Sequence, residues 1–363
     1  MRGCFVVLAL AGCSFSPGQA TVDASLDAFI VPGDVSASTI AIQGGLQNQT
    51  ELDNFPALLT LPSTLDLSSV TDPNHGFTFV DTNGNSLDYE VEHWDPQHTS
   101  SLWVRLQQVL PDQDDFGRMT WGPNQSAAQP FSTWSGYTQV LHFDTVAAAD
   151  SAGTEFEPMP TNITTRAGQI GNAAGFGSSS QIAFSDGNQL YSHWQAFTLQ
   201  FWLYVDATPV DQVIGVMDQG SDAPLSDGNY DPFLDAGDFQ LTWTFDDTET
   251  RITTLPIPRQ TWTLLAITWD GTNMTGYVNG AAKDLQFPAV TPNRLALAGA
   301  LDSFVLGNAE GNAMSGAIDE LEVDRVAHTA DWIAASYVSQ TGGLAATNDL
   351  QESARVRAHA TRR

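Results

Sequence analysis

Apolar and polar residues alternate with a period of two along several short segments, which is the pattern of β-strands. In Phe197–Val205 every odd-numbered residue is large and apolar, and a similar alternation runs through Trp262–Thr268. Turn dipeptides such as Asp270-Gly271 and Asn279-Gly280 separate such segments. Helical spacing is evident only near the end of the chain, at Ala330–Tyr337. The pattern therefore predicts an all-β protein.

A first group of predicted strands lies between Thr39 and about residue 137. The dipeptide Asn83-Gly84 is the expected turn of a hairpin, and the acidic spacing of Asp81–Asp88 does not fit an EF-hand. The predicted strands are Phe55–Pro62, Phe77–Asp81, Leu87–Trp94, Ser100–Leu106 and Gly117–Gly122.

Short motifs in this group occur in a recognisable order. They are Asn54-Phe55-Pro56, Phe79-Val80-Asp81, Gly84, Leu87, Tyr89-Glu90-Val91-Glu92, Trp94, Ser101 and Trp103-Val104. The series resembles the domain of unknown function, number 2341, of bacterial surface proteins. Residues 119–124 depart from the Tyr-Tyr-Gly-Asn corner of that family. The resemblance implies a β-sandwich domain at residues 39–137 and no particular activity.

A second resemblance rests on Trp262–Gly280 and Gly316–Val323. These segments are similar to the laminin G-like members of the concanavalin A-like jelly-roll superfamily. The resemblance implies a jelly roll at residues 138–340, of a kind that mostly binds glycans or proteins. The predicted fold is thus all-β, with two tandem β-sandwich domains, the C-terminal one a concanavalin A-like jelly roll. Residues 341–363, which end in a basic cluster, are predicted to form a disordered tail.

The first residues predict where the protein works. Phe5–Ala11 is a short apolar run, far below the roughly 18 residues that span a bilayer. Leu10–Cys13 resembles a lipobox, which implies a signal peptide at residues 1–12 and lipidation of Cys13. A secretory signal cut a few residues later is the alternative. Residues 13–38 are small, polar and rich in Pro and Gly, and are predicted to form a tether. We expect an extracytoplasmic protein, lipid-anchored to the bacterial membrane, in the outer membrane because Ser14 rather than aspartate follows Cys13.

Charge narrows the choice of partners. The 42 acidic and 13 basic residues give a formal net charge of −29. This excess argues against binding to nucleic acid and against docking on anionic lipid, so the membrane contact we expect is the lipid anchor alone. The two cysteines of the chain are Cys4 and Cys13. Cleavage at Cys13 would leave no internal disulfide and no cysteine metal site.

Calcium is the expected cofactor. Asp319 shares a strand face with Leu321 and Val323, and a carboxylate among apolar neighbours needs a partner. The jelly-roll resemblance implies calcium at this strand together with an acidic loop, in which Asp150 matches. Carboxylate oxygens suit Ca²⁺. The alternative is that Asp319 accepts hydrogen bonds from loop amides or pairs with an arginine such as Arg325.

An acidic loop is the predicted ligand site. It spans Asp218–Asp238, and it could ligate a metal or grip sugar hydroxyls while its aromatic residues stack on a pyranose. The alternative is that the loop is simply solvated. The candidate contact residues are Asp218, Asp222, Asp227, Asp231, Tyr230 and Phe233.

Catalysis is not expected. Glu320 and Glu322 lie two apart on one strand, as acid and nucleophile of a glycosidase could, but the run Asp319–Asp324 lacks the order of laminarinase-type enzymes. Glu320 and Glu322 are therefore predicted to form a solvated face. His93 and His98 are not expected to bind a metal. Nor do the motifs of serine hydrolases, zincins or P-loop proteins occur.

The tryptophans fall into two predicted groups. Trp202, Trp262 and Trp269 lie in strand motifs and are expected in the core, whereas Trp134, Trp194 and Trp243 are candidate sugar platforms wherever they are exposed. The sequence thus predicts a non-catalytic cell-surface protein that binds a glycan or a surface protein. The alternatives are a structural or adhesion protein with no small ligand and, less favoured, a glycoside hydrolase.

Overall fold

The computed structural model describes residues 38–146, 149–153, 157–184, 196–207, 213–215, 217–218, 233–235, 240–245, 248–253, 258–271, 273–283, 305–307 and 314–347. These residues belong to one compact unit that begins at Ser36. The predicted signal peptide, Cys13 and nearly all of the predicted tether lie outside the described residues.

The first strands form one eight-stranded sheet together with the last strand of the chain. They are β1 (Ser38–Gly44), β2 (Leu52–Leu61), β3 (Phe77–Val80), β4 (Ser86–Leu87), β5 (Tyr89–His93), β6 (Ser100–Val109) and β7 (Asp115–Trp121). A 3₁₀ turn, Pro73–His75, precedes β3, and a short helix, α1 (Pro130–Thr133), follows β7.

The remaining elements are mostly strands as well. They are β8 (Tyr137–Leu141), β9 (Pro158–Thr161), β10 (Thr164–Ala167), β11 (Asn172–Phe176), β12 (Gln181–Phe184), β13 (Phe197–Val205), β14 (Val213–Gly215), β15 (Met217–Asp218), β16 (Phe233–Asp235), β17 (Gln240–Phe245), β18 (Thr248–Thr253), β19 (Thr263–Trp269), β20 (Met274–Val278), β21 (Ala281–Lys283), β22 (Val305–Gly307), β23 (Gly316–Asp324), helix α2 (Ala330–Val338) and β24 (Leu344–Thr347). An irregular turn, Ser339–Gly343, joins α2 to β24.

The first sheet has the strand order β4-β3-β7-β1-β24-β2-β6-β5, and it is curved, because side chains near its two ends are in contact. The rings of Phe79 on β3 and Tyr89 on β5 lie 5.1 Å apart although the two strands are near opposite edges. Fully buried Phe55, Phe77 and Phe79 fill the interior. Burial of these aromatic side chains supplies the largest apolar area and hence much of the stability.

The second large sheet has the order β10-β11-β23-β13-β19-β20-β21, and β8 pairs with β23. Its central strands β13, β19 and β23 are buried almost throughout, which a sheet covered on both faces requires. Two four-stranded sheets complete the described part, in the orders β15-β22-β12-β9 and β14-β16-β17-β18. The all-β prediction and the predicted strand at Phe197–Val205 are confirmed.

The predicted disordered tail is wrong for its first residues. β24 lies between β1 and β2, antiparallel to the former and parallel to the latter. Leu344 and Ala346 are buried in the core of the first sheet, so seven residues of the predicted tail are part of the fold. The physical reason is that backbone hydrogen bonds on both sides hold this small-residue segment in place, which composition does not reveal.

Helix α2, which precedes β24 in the chain, is attached to the first sheet. Thr329 caps its N-terminus by accepting the Trp332 N–H at 3.2 Å, as expected of an N-cap threonine. Asp331 then accepts the Thr50 hydroxyl at 2.6 Å, and Trp332 packs edge-on against Phe55 at 5.0 Å. The helix is thereby held against the first sheet. No helix within the described ranges has the length and apolar character needed to cross a membrane.

Candidate functional site

The carboxylates of the two predicted calcium ligands accept hydrogen bonds from backbone amides. Asp319 Oδ2 accepts the amides of Gln169 at 2.8 Å and Ile170 at 3.0 Å, and Asp150 Oδ1 accepts those of Val140 at 2.9 Å and Ala152 at 3.0 Å. This matches the alternative in which Asp319 holds loop amides. Among the described residues neither aspartate belongs to a group of three metal-ligating side chains. Calcium at these two positions stays a prediction.

The predicted ligand loop lies largely outside the described residues. Asp218 ends β15 and Phe233 begins β16, so their backbones are placed. The side chains of both, and all of Asp222, Asp227, Tyr230 and Asp231, are outside the described part. Their role as ligand contacts stays a prediction.

The carboxylates of β23 are buried, so the predicted solvated face is wrong. Asp319 and Glu320 are fully buried, and Glu322 and Asp324 are nearly so. The prediction failed because it treated β23 as a strand with one exposed side. In the structure β13 and β11 flank β23, β8 pairs with its second half, and His142 and Gln340 bond to Glu320 and Glu322.

A β-bulge directs these carboxylates. Trp202 of β13 pairs with Asp319 and Gln200 pairs with Glu322, so β23 carries one extra residue between the two pairs. Glu320 takes the left-handed conformation, with a φ of 50°. This backbone is uncommon outside glycine and asparagine, and it breaks the simple alternation of faces along the strand.

Glu320 meets a histidine and a glutamate from the first half of the chain. His142, just after β8, places Nδ1 at 2.7 Å from Glu320 Oε2 and at 2.7 Å from Glu92 Oε2. Its other ring nitrogen, Nε2, lies 3.2 Å from Glu90 Oε2. We call Glu90, Glu92, His142 and Glu320 the carboxylate–histidine cluster. Among the described residues, Glu92, His142 and Glu320 are the three whose donor atoms all lie within 4.8 Å of one another.

Indole groups line the cluster. Trp134 Nε1 donates to Glu90 Oε2 at 2.6 Å, and Trp103 Nε1 donates to Glu92 Oε2 at 2.9 Å. The Ser151 hydroxyl donates to Glu90 Oε1 at 2.6 Å. Trp134 is fully buried, so it is not the exposed sugar platform that the sequence allowed. Trp194 and the side chain of Trp243 lie outside the described residues, whereas Trp202 and Trp269 are in the core as predicted. Trp262, predicted in the core as well, is only partly buried.

The protonation of the cluster reflects burial and crowding of like charges. Burial alone would lower the pKa of His142, but Glu92, Glu320 and Glu90 raise it well above its usual value. Burial raises the pKa of Glu320 well above the ordinary range, and the charge of Glu92 adds to the rise. Burial opposes ionisation of Glu90 too, yet His142, Ser151 and Trp134 hold its pKa below the usual value. Of these two glutamates, Glu90 is therefore the one that favours the charged form.

Several carboxylate oxygens in and beside the cluster have no hydrogen-bond partner. They include Glu92 Oε1, Glu320 Oε1 and Asp319 Oδ1, all buried. Burial also raises the pKa of the neighbouring Glu322 to about 8, although Gln340 donates to Glu322 Oε1 at 3.0 Å. Buried oxygens without partners are costly, so a proton or a cation must stabilise this region.

An open cleft of 490 Å³ is lined in part by His93, the residue after Glu92 of the cluster. One wall is the turn Gly168–Gly171, and Asp319 holds this turn by accepting the amides of Gln169 and Ile170. A Cβ on Gly168 would lie 2.5 Å from Asp319 Oδ2, so this close approach requires glycine. The polar lining residues are Thr60, His93, Asp95, His98, Thr99, Ser101, Gln169, Gln340 and Thr341.

The two cleft histidines bond to separate aspartates. His98 Nδ1 lies 2.8 Å from Asp95 Oδ2, and His93 Nδ1 lies 3.4 Å from Asp144 Oδ2. They do not belong to the one metal-ligating group found among the described residues. The cleft therefore presents hydrogen-bonding groups and no metal ligands arranged around one point.

The sequence analysis missed the cluster but contained one signal for it. Glu90 and Glu92 alternate with Tyr89 and Val91 on β5, and a period of two puts both glutamates on one face. Since Tyr89 belongs to the core of the first sheet, both glutamates point away from that core. His142 gave no such signal, because its partners are 52 and 178 residues away in the chain.

Comparison with known families bears on the second half. Residues 176–334 match the laminin G family model described as the concanavalin A-like lectin/glucanases superfamily. These residues form a concanavalin A-like domain. The predicted jelly roll is confirmed over this range, and the resemblance of residues 39–137 to the domain of unknown function stays a prediction. No curated protein sequence matches the chain.

Solved structures show weaker similarity. Domain 4 of AbnA, an extracellular arabinanase from Geobacillus stearothermophilus in complex with arabinotriose, is 22% identical with a TM-score of 0.45, covering 55% of this chain and 98% of its own. The binding domain of Paraclostridial Mosquitocidal Protein 1 is 16% identical with a TM-score of 0.45, and the match covers 56% of this chain and 52% of the toxin domain. The binding domain of botulinum neurotoxin serotype D is 16% identical with a TM-score of 0.46, and the match covers 56% of this chain and 51% of the toxin domain. The chain spans about half the length of the two toxin domains.

Proposed function

We propose that the protein is a non-catalytic binding protein of the bacterial surface that recognises a glycan or a protein partner through its concanavalin A-like domain. The observation that carries this proposal is the burial of the β23 carboxylates. Glycosidases need two carboxyl groups open to substrate on either side of the scissile bond. Glu320 and Glu322 are buried and already bonded to His142 and Gln340, which favours binding over hydrolysis.

The open cleft is the binding surface that we favour within the described residues. Its lining combines imidazole, carboxylate, hydroxyl and amide groups with two apolar side chains, Leu58 and Ile170. Such a mixture suits the hydroxyl-rich edge of a sugar, because each hydroxyl both donates and accepts. The loop Asp218–Asp238, with its six predicted contact residues, is the second surface to test.

A glycan array tests the proposal. Residues 21–363 are applied in calcium and again in EDTA. Binding that is lost in His98→Ala assigns the ligand to the cleft, and loss in EDTA supports the predicted calcium at Asp150 and Asp319. Absence of binding in both conditions, together with capture of a purified surface protein, would favour a protein partner. Absence of any partner would favour a purely structural or adhesion role.

The chain offers a matched control for His98. His75 pairs with Asp72 at 2.8 Å across three residues, as His98 does with Asp95, and His75 is not among the cleft residues. His75→Ala therefore removes a similar exposed pair and is expected to leave ligand binding unchanged. Equal loss in both variants would argue against the cleft.

We further propose that the protein is extracytoplasmic and anchored in the outer membrane by lipid on Cys13. The support is the lipobox-like Leu10–Cys13 and the polar segment that follows it. Cys13→Ser in the natural host should move the protein from the membrane fraction to the soluble fraction. Persistence of the variant in the membrane would contradict the anchor.

A further inference from the structure

We propose that Glu92, His142 and Glu320 bind one divalent cation of the zinc class, which joins the first sheet to β23. The site is distinct from the predicted calcium ligands Asp150 and Asp319, and it does not depend on the proposed glycan or protein ligand. Its three donors come from β5, from the residue after β8 and from β23.

The donor atoms already converge. His142 Nδ1 lies 2.7 Å from one oxygen of each glutamate, and the three donors lie within 4.8 Å of one another. Ligands of a tetrahedral zinc ion, at bond lengths of about 2.0–2.1 Å, are separated by about 3.3 Å. The three side chains need to open by only about half an ångström to admit the ion, which rotamer adjustments provide.

Buried oxygens without partners are an independent sign of a missing ligand. Glu92 Oε1 and Glu320 Oε1 both lack a hydrogen-bond partner, and neither side chain is accessible to solvent. One proton on His142 Nδ1 cannot fully satisfy two carboxylates at once. A cation between them would pair with oxygens of both residues and remove the cost of burying them bare.

The orientation of His142 also fits a metal ligand. Its Nε2 faces Glu90, and Glu90 is itself fixed by Ser151 and Trp134. Metal-binding histidines usually donate their second ring N–H to a carboxylate in this way, which fixes the tautomer. Nδ1 is then deprotonated and free to bind the ion between Glu92 and Glu320.

The donor set selects the class of ion. One imidazole nitrogen and two carboxylate oxygens suit zinc and similar first-row ions. Calcium takes 6–8 oxygen ligands, and magnesium keeps several waters, which a nearly sealed cluster does not admit. Because the His142 side chain is only 10% exposed, exchange of the ion requires local opening of the fold.

The first test measures bound metal on the full chain. The protein is unfolded in guanidinium chloride with EDTA and refolded with Zn²⁺, Ca²⁺ or Mg²⁺ alone. After gel filtration and elemental analysis we expect close to one zinc per chain, with calcium and magnesium at background. A zinc content no higher than that of the Glu320→Gln variant would overturn the proposal and leave protons as the stabilising charge.

A second test does not depend on refolding. The chain is expressed with Co²⁺ in the medium, purified as folded protein and scanned for the visible absorption band of protein-bound cobalt. His142→Gln and Glu320→Gln should abolish that absorption. Glu322→Gln is the matched control, since Glu322 is buried on the same strand and is not one of the donors. Absence of the band from wild-type protein, or equal bands in all variants, would contradict the site.

The variant Glu90→Gln tests whether Glu90 supports the metal ligand His142 without binding the ion itself. It keeps the shape of Glu90 but weakens the acceptor for His142 Nε2–H. Loss of such a partner typically lowers metal affinity about 10–100-fold. We expect the zinc affinity of Glu90→Gln to fall by this factor, with the number of zinc ions per chain unchanged. A variant with the affinity of wild type would show that Glu90 does not position His142.

Discussion

The backbone N–H of Leu58 donates to the side-chain oxygen of Ser339 at 2.7 Å, across 281 residues of sequence. Both residues are buried, and the bond lies where the chain turns from α2 toward β24. The parallel pairing of Leu59 with Leu344 begins beside it. The end of the described chain is thus a structural part of the first sheet rather than an appendage.

Removal of β24 should therefore destabilise the first sheet. A chain that ends at Gln340 loses a strand from the middle of the sheet, with two ladders of hydrogen bonds and the buried Leu344. Loss of one buried leucine alone costs about 2–5 kcal/mol. We expect the truncated chain to be insoluble or to lose cooperative unfolding, as followed by circular dichroism during heating.

A chain that ends at Thr347 is the control, because it keeps β24 and lacks only residues 348–363. It should unfold at the temperature of the full chain. If both truncations behave alike, β24 contributes little and its place in the sheet is not what stabilises the fold.

Trp134→Phe should destabilise the protein through Glu90. The substitution keeps an aromatic ring but removes the indole N–H that donates to the buried carboxylate at 2.6 Å. Loss of one hydrogen bond to a buried carboxylate costs about 1–3 kcal/mol, even though His142 Nε2 stays close to the same oxygen. Urea unfolding should show a loss of this size, whereas Phe131→Leu, at a side chain that is 67% exposed, should change the unfolding free energy by less than about 0.5 kcal/mol.

Asp81 should make stability depend on acid pH. Burial opposes its ionisation and is the largest single effect, but the hydrogen bonds from Asn85 and Asn83 together hold its pKa below the usual value. An acid whose folded pKa is depressed stabilises the fold above its unfolded pKa of about 3.9, and that contribution disappears as pH falls through the folded value. Asp81→Ala should lower the free energy of unfolding at pH 7 by about 1 kcal/mol and flatten its fall below pH 4.

The measurement is urea unfolding of both proteins from pH 7 to pH 2.5. Asp53→Ala, at an exposed position on β2, is the control and should change the free energy of unfolding at pH 7 by less than about 0.5 kcal/mol. If the difference between Asp81→Ala and wild type persists undiminished at the lowest pH, the charge of Asp81 is not responsible.

The sequence predicted the strands well because alternation and turn dipeptides are local. Phe197–Val205 and the hairpin after Phe79 needed no distant partner to be found. β24 could not be predicted, since its residues are small and weakly patterned and only β1 and β2 give them a place. The carboxylate–histidine cluster could not be predicted for the same reason, because the bulge at Glu320 and the approach of His142 are set by pairing between distant strands.

Asp319 offers a direct test of the two interpretations of its carboxylate. Asp319→Ala leaves the amides of Gln169 and Ile170 without an acceptor, which should cost at least about 1–3 kcal/mol. If amide binding is its whole role, the difference in stability between wild type and variant will be the same in calcium and in EDTA. If calcium binds there, wild type will lose more stability in EDTA than the variant does. Denaturant unfolding of the two proteins in the two buffers separates these outcomes, because only a bound ion couples the substitution to the chelator.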